Sequence, residues 1–449
     1  MAGFHDPAGL EITCASQAAA DAWRDTLDGY LTNRNDTSQR LKRAITEDGE
    51  FCMAYALRGI FAMMSYKAAN LGYAQKCLAD AKRFASGVSA REQAHLSALE
   101  SWIAGDLDAT MAKWSAIIRE WPRDLLAFRL HHFMGFWLGR PEDMLSAAER
   151  TIAHFSDSDF GAGAIHACRA FAHEESGSYA AAESAGWRAL QIDRGDIWAA
   201  HAVAHVYEMQ ARRSEGLALF NQLRSGWEGG NNLLHHLWWH AAMFHIERGD
   251  HEAALSLYDR ELRNLQSELT LQMPDLYIDM QNAISMLWRL EALGVDGGAR
   301  WEELADKAQV LKGDCSNPFT LPHHVIALLR AGRMDATRDY IEAMKSFAQG
   351  PQFTLQLIVR DAALPLCEGL LADAAGNPAH ALELMRPSIA QWPRLGGSHA
   401  QQDVLHQAYA KIAQRAQSQA DIKLIAERVR ARRGMPLETF AAWRNFATV

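Results

Sequence analysis

A recurring spacing of helical segments is the feature that most limits the folds open to this chain. Apolar helical segments end at Gly105, Gly139, Gly177, near Arg213 and at Gly249, so these end points lie 34, 38, 36 and 36 residues apart. A second helical segment follows each end point. A fixed period of roughly 20–50 residues is typical of solenoid proteins, in which each unit packs only against its neighbours. A length of 449 residues therefore does not require several globular domains.

The details of each repeat predict a tetratricopeptide-like pair of helices. A glycine after the first helix can take the left-handed conformation that ends a helix. Small residues such as Ala147, Ala148 and Ala254 let the second helix approach the first closely. Segments that alternate with a period of two are almost absent, which argues against strands. We therefore predict an all-α fold, an α–α superhelix of tetratricopeptide-like helix pairs, with a kink or break at about Ala363 caused by Pro365.

The regularity of the repeat divides the chain into three predicted parts. Residues 1–50 form an N-terminal helical cap, and residues 51–264 form tetratricopeptide-like repeats with a histidine-rich inner face. Residues 265–449 form further irregular helical repeats and a C-terminal cap. Polar segments in this last part, such as AQQDVLHQAYAKIAQRA, suit an exposed end of the array.

Charge and cysteine usage restrict the functional classes. A net charge of −9 argues against a general nucleic-acid binder, because phosphate neutralisation needs a basic surface. The six cysteines show no paired spacing, which favours reduced thiols in a cytoplasmic protein over a disulfide framework. The N-terminal segment lacks the pattern of a secretory signal, and no apolar run is long enough to span a membrane. We therefore expect no nucleic-acid and no membrane partner.

Two blocks of sequence resemble a known family. HAVAHVYEMQAR, from His201 to Arg212, is followed one repeat later by HHLWWHAAMFHIERGDHEAALSLYDREL, from His235 to Leu262. Together they resemble the tetratricopeptide repeat protein 38 family. The N-terminal stretch DPAGLEITCASQAAADAW and the helical segment from Leu276 are also similar to it. The resemblance implies a superhelix of helix pairs and a cytoplasmic protein, but no catalytic residues and no settled ligand.

Histidines are concentrated on the predicted first helices. Of the 19 histidines, 12 lie between residues 131 and 251. His201, His205 and Glu208 are spaced i, i+4 and i+7, which places them on one face of a helix. One repeat later, His236 and His240 repeat the i, i+4 spacing. His131, His205 and His240 lie 8, 8 and 9 residues before the ends of their helices, so imidazoles of neighbouring repeats could converge on a concave face.

Three hypotheses follow from these positions. In the first, a ladder of histidine and tryptophan satisfies itself or binds a peptide in a concave groove. In the second, the groove is a small-molecule pocket in which histidines act as hydrogen-bond donors and general bases. The candidate ligand-binding residues for both are His131, His132, His166, His201, His205, Glu208, His236, Trp239, His240 and Asp279.

The third hypothesis is a divalent metal such as zinc. Its predicted ligands are His201, His205, Glu208 and His240, because two H-x3-H pairs make such ligation geometrically feasible. A metal-assisted or histidine-driven hydrolase acting on a small molecule is the alternative to a pure binding role. The expected partner is a small molecule or a peptide, and formation of a homo-oligomer stays open.

Overall fold

The chain folds almost entirely into α-helices. The computed structural model describes residues 3–274 and 276–446, and within them it contains 24 α-helices and two strands of two residues each. The strands, β1 (Phe4–His5) and β2 (Glu11–Ile12), pair antiparallel near the N-terminus. The predicted fold class is confirmed, because successive helices pack as antiparallel pairs of tetratricopeptide-like length.

The bounds of the helices follow the predicted alternation. The first twelve are α1 (Gln17–Leu31), α2 (Thr37–Glu47), α3 (Cys52–Met64), α4 (Leu71–Arg83), α5 (Ala90–Ala104), α6 (Leu107–Glu120), α7 (Leu125–Trp137), α8 (Pro141–Ile152), α9 (Ala162–Glu175), α10 (Tyr179–Ile192), α11 (Ile197–Met209) and α12 (Arg213–Leu223).

The remaining twelve are less regular in length. They are α13 (Leu233–Glu247), α14 (His251–Leu257), α15 (Glu268–Gln272), α16 (Tyr277–Ala292), α17 (Arg300–Val310), α18 (Thr320–Arg330), α19 (Met334–Ala348), α20 (Thr354–Ile358), α21 (Leu364–Ala374), α22 (Pro378–Met385), α23 (His399–Arg415) and α24 (Gln419–Arg430). Short 3-10 helices occupy Ala68–Asn70, Arg224–Gly226, Arg386–Leu395, Leu437–Thr439 and Ala441–Phe446, and π-helical turns occupy Tyr258–Leu262 and Val359–Ala363.

Left-handed residues end the first helix of a pair, as the spacing predicts. Gly105 follows α5 with a φ of 86°, and Asp106 then caps α6 by accepting a hydrogen bond from the backbone of Ala109. In the repeat that lacks a glycine, Ala211 takes the left-handed conformation with a φ of 58°. The period therefore survives at this position although the alanine is conformationally strained there.

The break predicted near Ala363 is present as a π-helical turn. α20 passes into the turn at Val359–Ala363, and α21 begins at Leu364 with Pro365 in its first turn. Proline lacks the backbone N–H that a continuous helix would use, and its ring would clash with the carbonyl four residues earlier. Widening the helix by one residue removes that clash.

The described residues form two compact units. Unit 1 contains residues 3–136, 140–203 and 223–233, and unit 2 contains residues 137–139, 204–222 and 234–446. In unit 1, α3 packs against α4, α5 against α6, and α9 against both α8 and α10. In unit 2, α16 packs against α17, α18 and α23, and α21 packs against α22. The three-part division at residues 50 and 264 stays a prediction.

The polar segment near the C-terminus is a buried helix. It forms α23, in which Gln401, Gln402, Asp403, His406 and Gln407 are all buried. The expectation of an exposed end is wrong for this helix, because α16, α22 and α24 cover it. Its polar side chains must therefore find partners inside unit 2.

Two further findings concern thiols and membranes. All six cysteines are free thiols, and five of them are buried. Among the described residues, none of the helices combines the length and the apolar character needed to cross a lipid bilayer.

Close packing within α10 gives the first test of this fold. Ala182 is fully buried in the pair formed by α9 and α10, whereas the adjacent Ala181 is exposed. Ala182→Leu should lower the free energy of unfolding by about 1–3 kcal/mol, because added methylenes overpack the contact. Ala181→Leu is the matched control and should change it by less than about 0.5 kcal/mol. Equal effects in urea titrations followed by circular dichroism would contradict the assigned packing.

Candidate functional site

Three buried histidines of unit 2 form the centre of the candidate site. We call His205, from α11, and His236 and His240, one turn apart on α13, the histidine cluster. The ring centroids of His205 and His240 are 4.4 Å apart, those of His236 and His240 are 4.8 Å apart, and those of His205 and His236 are 6.5 Å apart. One ring nitrogen of each lies within 4.8 Å of those of the other two.

The Nδ1 atoms of two cluster rings are held by oxygen acceptors. His240 Nδ1 donates to Glu208 Oε2 at 2.7 Å, and His236 Nδ1 donates to Asn282 Oδ1 at 2.9 Å. A neutral imidazole carries a single N–H, so donation through Nδ1 places the lone pair of each ring on Nε2. Burial, together with the neighbouring His205, lowers the pKa of His236 to about 3. His236 is therefore a neutral ring with its Nε2 available as an electron-pair donor.

One face of α16 supports this arrangement. Asp279, Asn282, Ser285 and Arg289 recur every three or four residues, and all four are buried. His235 Nδ1 donates to Asp279 Oδ1 at 3.0 Å, and Trp239 Nε1 donates to Ser285 Oγ at 3.1 Å.

Trp239 forms a wall of the cluster. Its ring stacks on His236 with an interplanar angle of 13° and a centroid distance of 5.2 Å. The Arg289 guanidinium lies 5.4 Å from the centroid of the Trp239 ring. The positions of His236 and Trp239 are thus fixed from α16 as well as from their own helix.

Glu208 also borders a small cavity, which we call the charged chamber. It has a volume of about 30 Å³, and its charged lining residues are Glu208, Arg213, Glu247, Arg289, Asp403 and Arg433. A volume of this size holds about one water molecule. Three guanidinium groups therefore face three carboxylates in a space too small for an organic ligand.

Two ion pairs join four of the six charges of the chamber. Arg433 Nη2 lies 2.9 Å from Asp403 Oδ2, and Arg213 Nη2 lies 2.8 Å from Glu247 Oε2. Burial raises the pKa of Glu208, while His205, Arg433 and Arg289 act in the opposite direction. The ionised form of Glu208 is therefore stabilised by the positive charges around it. Because Glu208 accepts the hydrogen bond from His240, the charges of the chamber also affect that bond.

The structure brings together five of the ten predicted ligand-binding residues: His205, Glu208, His236, Trp239 and His240. Asp279 joins them through the bond to His235. The sequence predicts these side chains on the wall of an open groove, but the three histidines, Trp239 and Asp279 are at most 2% exposed. They are interior groups, because α16 covers one side of α13.

Of the four residues predicted as metal ligands, Glu208 has another role. Its carboxylate accepts the hydrogen bond from His240, and His236 lies in the cluster instead. His201 lies one turn before His205 on α11 and stacks on Trp198, with a centroid distance of 4.6 Å.

The other predicted residues make separate contacts in unit 1. His132 is enclosed by Phe128, Phe171 and Trp198, and burial lowers its pKa far below the usual value. His166 Nε2 donates to Asp157 Oδ1 at 2.9 Å near the surface. His131 lies at the base of a cleft between α6 and α8.

Sequence reasoning missed the chamber residues Arg289, Asp403 and Arg433. They are distant in sequence from Glu208, and single charged residues carry no spacing that links them to it. A signal did exist in α23, where five of the seven residues of QQDVLHQ are polar, which is more than a helix packed on several sides can direct towards solvent.

The fold and the buried polar site define a helical repeat protein of the tetratricopeptide-like class. No protein-family model matches the sequence. Among solved structures, the chain is similar to the human IFIT1 dimer with m7Gppp-AAAA, at 10% identity and a TM-score of 0.41, covering 97% of this chain and 95% of that chain.

Two further solved structures are similar. One is the P58(IPK) TPR domain, at 15% identity and a TM-score of 0.22, covering 79% of this chain and 89% of that chain. The other is Naa15/Naa10 bound to HypK-THB, at 11% identity and a TM-score of 0.28, covering 91% of this chain and 63% of that chain. None of these similarities identifies a ligand, and membership of the tetratricopeptide repeat protein 38 family stays a prediction.

The buried His131 predicts a pH dependence of stability. Burial lowers its pKa from 6.5 to about 4; Asp143 opposes this shift and Arg140 adds to it. Between these two pH values the unfolded chain binds a proton that the folded protein excludes. The stability that the folded protein owes to a neutral His131 is therefore fully present above pH 6.5. It is lost as the pH falls towards 4, and the free energy of unfolding then decreases by about 1.4 kcal/mol per pH unit.

The measurement is the difference in unfolding free energy between the wild type and His131→Gln, taken from pH 7 to pH 4. The wild type should lose stability relative to the variant over this range. His380→Gln removes a histidine at an exposed position and is the control. Parallel profiles for the wild type and His131→Gln would contradict the prediction.

Proposed function

We propose that the protein is a tetratricopeptide-like repeat protein that binds a divalent metal ion of the zinc class at the histidine cluster. The observation that carries the proposal is the convergence of three buried imidazoles, one ring nitrogen of each lying within 4.8 Å of the others. Imidazole nitrogen is a preferred ligand of zinc, with Zn–N distances of about 2.0–2.1 Å. Two nitrogens on one ion then lie roughly 3.4 Å apart, so small rotations of the rings would complete the site.

The hydrogen bonds around the cluster support this proposal. Metal-binding histidines typically donate their other N–H to a carboxylate or carbonyl oxygen, which fixes the tautomer and orients the ring. Glu208 and Asn282 accept such bonds from His240 and His236. Because His236 is neutral at physiological pH, no proton has to be displaced from it before a metal binds.

The size and burial of the site favour an ion over the other predicted ligands. The cluster rings are in mutual contact, and the adjacent charged chamber has a volume of only about 30 Å³. A peptide would need exposed side chains, whereas the cluster histidines are at most 2% exposed. An ion needs only the space between the three Nε2 or Nδ1 atoms.

A metal-assisted hydrolase is the second candidate function. Catalytic zinc sites keep a position for water beside three protein ligands, and zinc lowers the pKa of that water to near 7. Glu208 favours this candidate, because it contacts His240 and borders the charged chamber, where one water fits. Its role would be to orient His240 and to accept or return a proton.

The metal proposal predicts a stoichiometry and a ligand dependence. Protein purified without a histidine tag should bind about one zinc ion per chain, measured by plasma mass spectrometry after dialysis. His236→Gln and His240→Gln should each lose this zinc, because each removes a nitrogen ligand. Glu208→Gln should still bind zinc, with an affinity reduced by at most about 10-fold, because this change weakens only the hydrogen bond that orients His240.

The matched control is His245→Gln, which removes a partly exposed histidine from the same helix. It should bind zinc as the wild type does. Cobalt loading adds an independent readout, because tetrahedral cobalt gives strong visible absorption. Wild-type protein that binds no zinc, and whose thermal midpoint is unchanged by zinc or by chelator, would contradict the proposal.

The hydrolase candidate has its own test. Zinc-loaded protein should hydrolyse a small activated ester such as p-nitrophenyl acetate faster than chelator-treated protein, and Glu208→Gln should lower that rate more than it lowers zinc occupancy. Zinc-loaded protein with no excess rate over the chelator-treated protein would leave metal binding without hydrolysis.

A further inference from the structure

A second cavity lies in unit 1, apart from every residue of the metal proposal. It is a cleft of about 260 Å³ between α6 and α8, with His131 of α7 at its base. Met111, Ala112 and Ser115 line it from α6, and Ser146 and Ala147 line it from α8. These side chains are small or flexible, so the centre of the cleft is open and offers both polar and apolar groups.

The charges of the cleft are separated along its length. Arg140 forms an ion pair with Asp108 at one end, and Asp143 lies on α8 close to that pair. Arg119 lies 11 residues after Asp108 on α6, and Arg150, on α8, lies 10 residues after Arg140. At 1.5 Å per residue, both arginines lie about 15 Å away, at the other end.

The arginines at this basic end are not neutralised by the protein. Arg119 and Arg150 both line the cleft and are exposed. Among the residues that the structure describes, neither forms an ion pair of 4.0 Å or less. The charge of Arg140, by contrast, is balanced by Asp108. Two unbalanced guanidinium groups that border one cavity form a natural site for an anion, because guanidinium binds carboxylate and phosphate with directed hydrogen bonds.

His131 gives an independent indication of a ligand. Its side chain lines the cleft, yet the residue is only 3% exposed, and within the described part of the chain its Nδ1 has no hydrogen-bond partner. A buried polar atom without a hydrogen-bond partner carries a desolvation cost. A polar group of a bound molecule could remove that cost by hydrogen-bonding to the ring.

We propose that this cleft binds a small organic anion, whose carboxylate or phosphate group is held by Arg119 and Arg150 and whose polar body reaches His131. The apolar side chains of Met111 and Ala147 contact the body between these two ends. A volume of about 260 Å³ suits a molecule of metabolite size and is too small for a protein segment or a nucleic acid. The site is therefore distinct from the histidine cluster both in its residues and in the sign of the ligand it selects.

Isothermal titration with three probes of similar shape tests the proposal. The para-hydroxy forms of benzoate and phenyl phosphate carry the two anionic groups together with a polar end for His131, and the para-hydroxy form of benzamide is the neutral counterpart. The anions should bind, and the neutral probe should bind at least about 10-fold more weakly, because it lacks the charge that the arginines recognise. Arg119→Gln and Arg150→Gln should each weaken anion binding by about 10-fold. Arg224→Gln, an exposed arginine of unit 1 outside the cleft, is the matched control.

A variant that fills the cleft distinguishes binding inside the cleft from a general effect of surface charge. Ala112→Leu places a larger apolar side chain at an exposed position of the cleft wall, without entering the core. It should abolish anion binding while leaving the thermal midpoint and zinc content unchanged.

Three results would overturn the proposal. The first is equal affinity for the neutral probe and the two anions. The second is binding that survives in both arginine variants and in Ala112→Leu. The third is binding of a short single-stranded RNA or an acidic peptide by protein that binds none of the small anions, which would assign the basic end to a macromolecule.

Discussion

The interior of a helical repeat unit must satisfy every polar group that the repeat pattern places there, and this constraint governs the candidate site. α13 is covered by α16 on one side, so the polar residues of α13 that face α16 have no access to water. His235, His236 and Trp239 therefore bond to Asp279, Asn282 and Ser285 across that contact. A buried donor without an acceptor would cost more than the net gain of an ordinary hydrogen bond, so these pairs specify the register of the two helices as well as stabilising them.

Histidine suits such positions because it can be buried without a charge. Burial lowers the pKa of His236 to about 3, and the same effect lowers the pKa values of His323 and His324 to about 4 and about 3. A neutral ring needs one acceptor for its N–H and keeps a lone pair on the other nitrogen. A lysine in the same place would need a buried counter-charge. The resulting surplus of electron-pair donors in the interior is what makes metal binding chemically reasonable.

The sequence predicts the fold better than the site because the two depend on different ranges of the chain. The helix ends at Gly105 and Ala211 and the π-helical turn before Pro365 follow from local backbone chemistry, so a period and a single proline suffice to predict them. The i, i+4 pair His236 and His240 is local as well. Asp403 and Arg433 contribute to the charged chamber from helices and loops far along the chain, and only the packing of α23 against α16 brings them near Arg289. No spacing in the sequence encodes that contact.

His131 and His205 show most directly where sequence reasoning stops. In the sequence, both lie 8 residues before the residue taken to mark the end of a repeat's first helix, Gly139 or Arg213, and this equal spacing suggested equal roles. In the structure, His205 contacts His240 from the next first helix, whereas His131 borders a cleft lined by the second helices α6 and α8. The two heights also differ, because His131 lies six residues before the last residue of α7 and His205 lies four before the last residue of α11. A spacing counted to a residue beyond the helix therefore determines neither the height of a side chain nor the direction in which it points. His205 therefore lies among other imidazole nitrogens, which favours a cation. His131 instead borders a cleft whose basic end carries Arg119 and Arg150, which favours an anion.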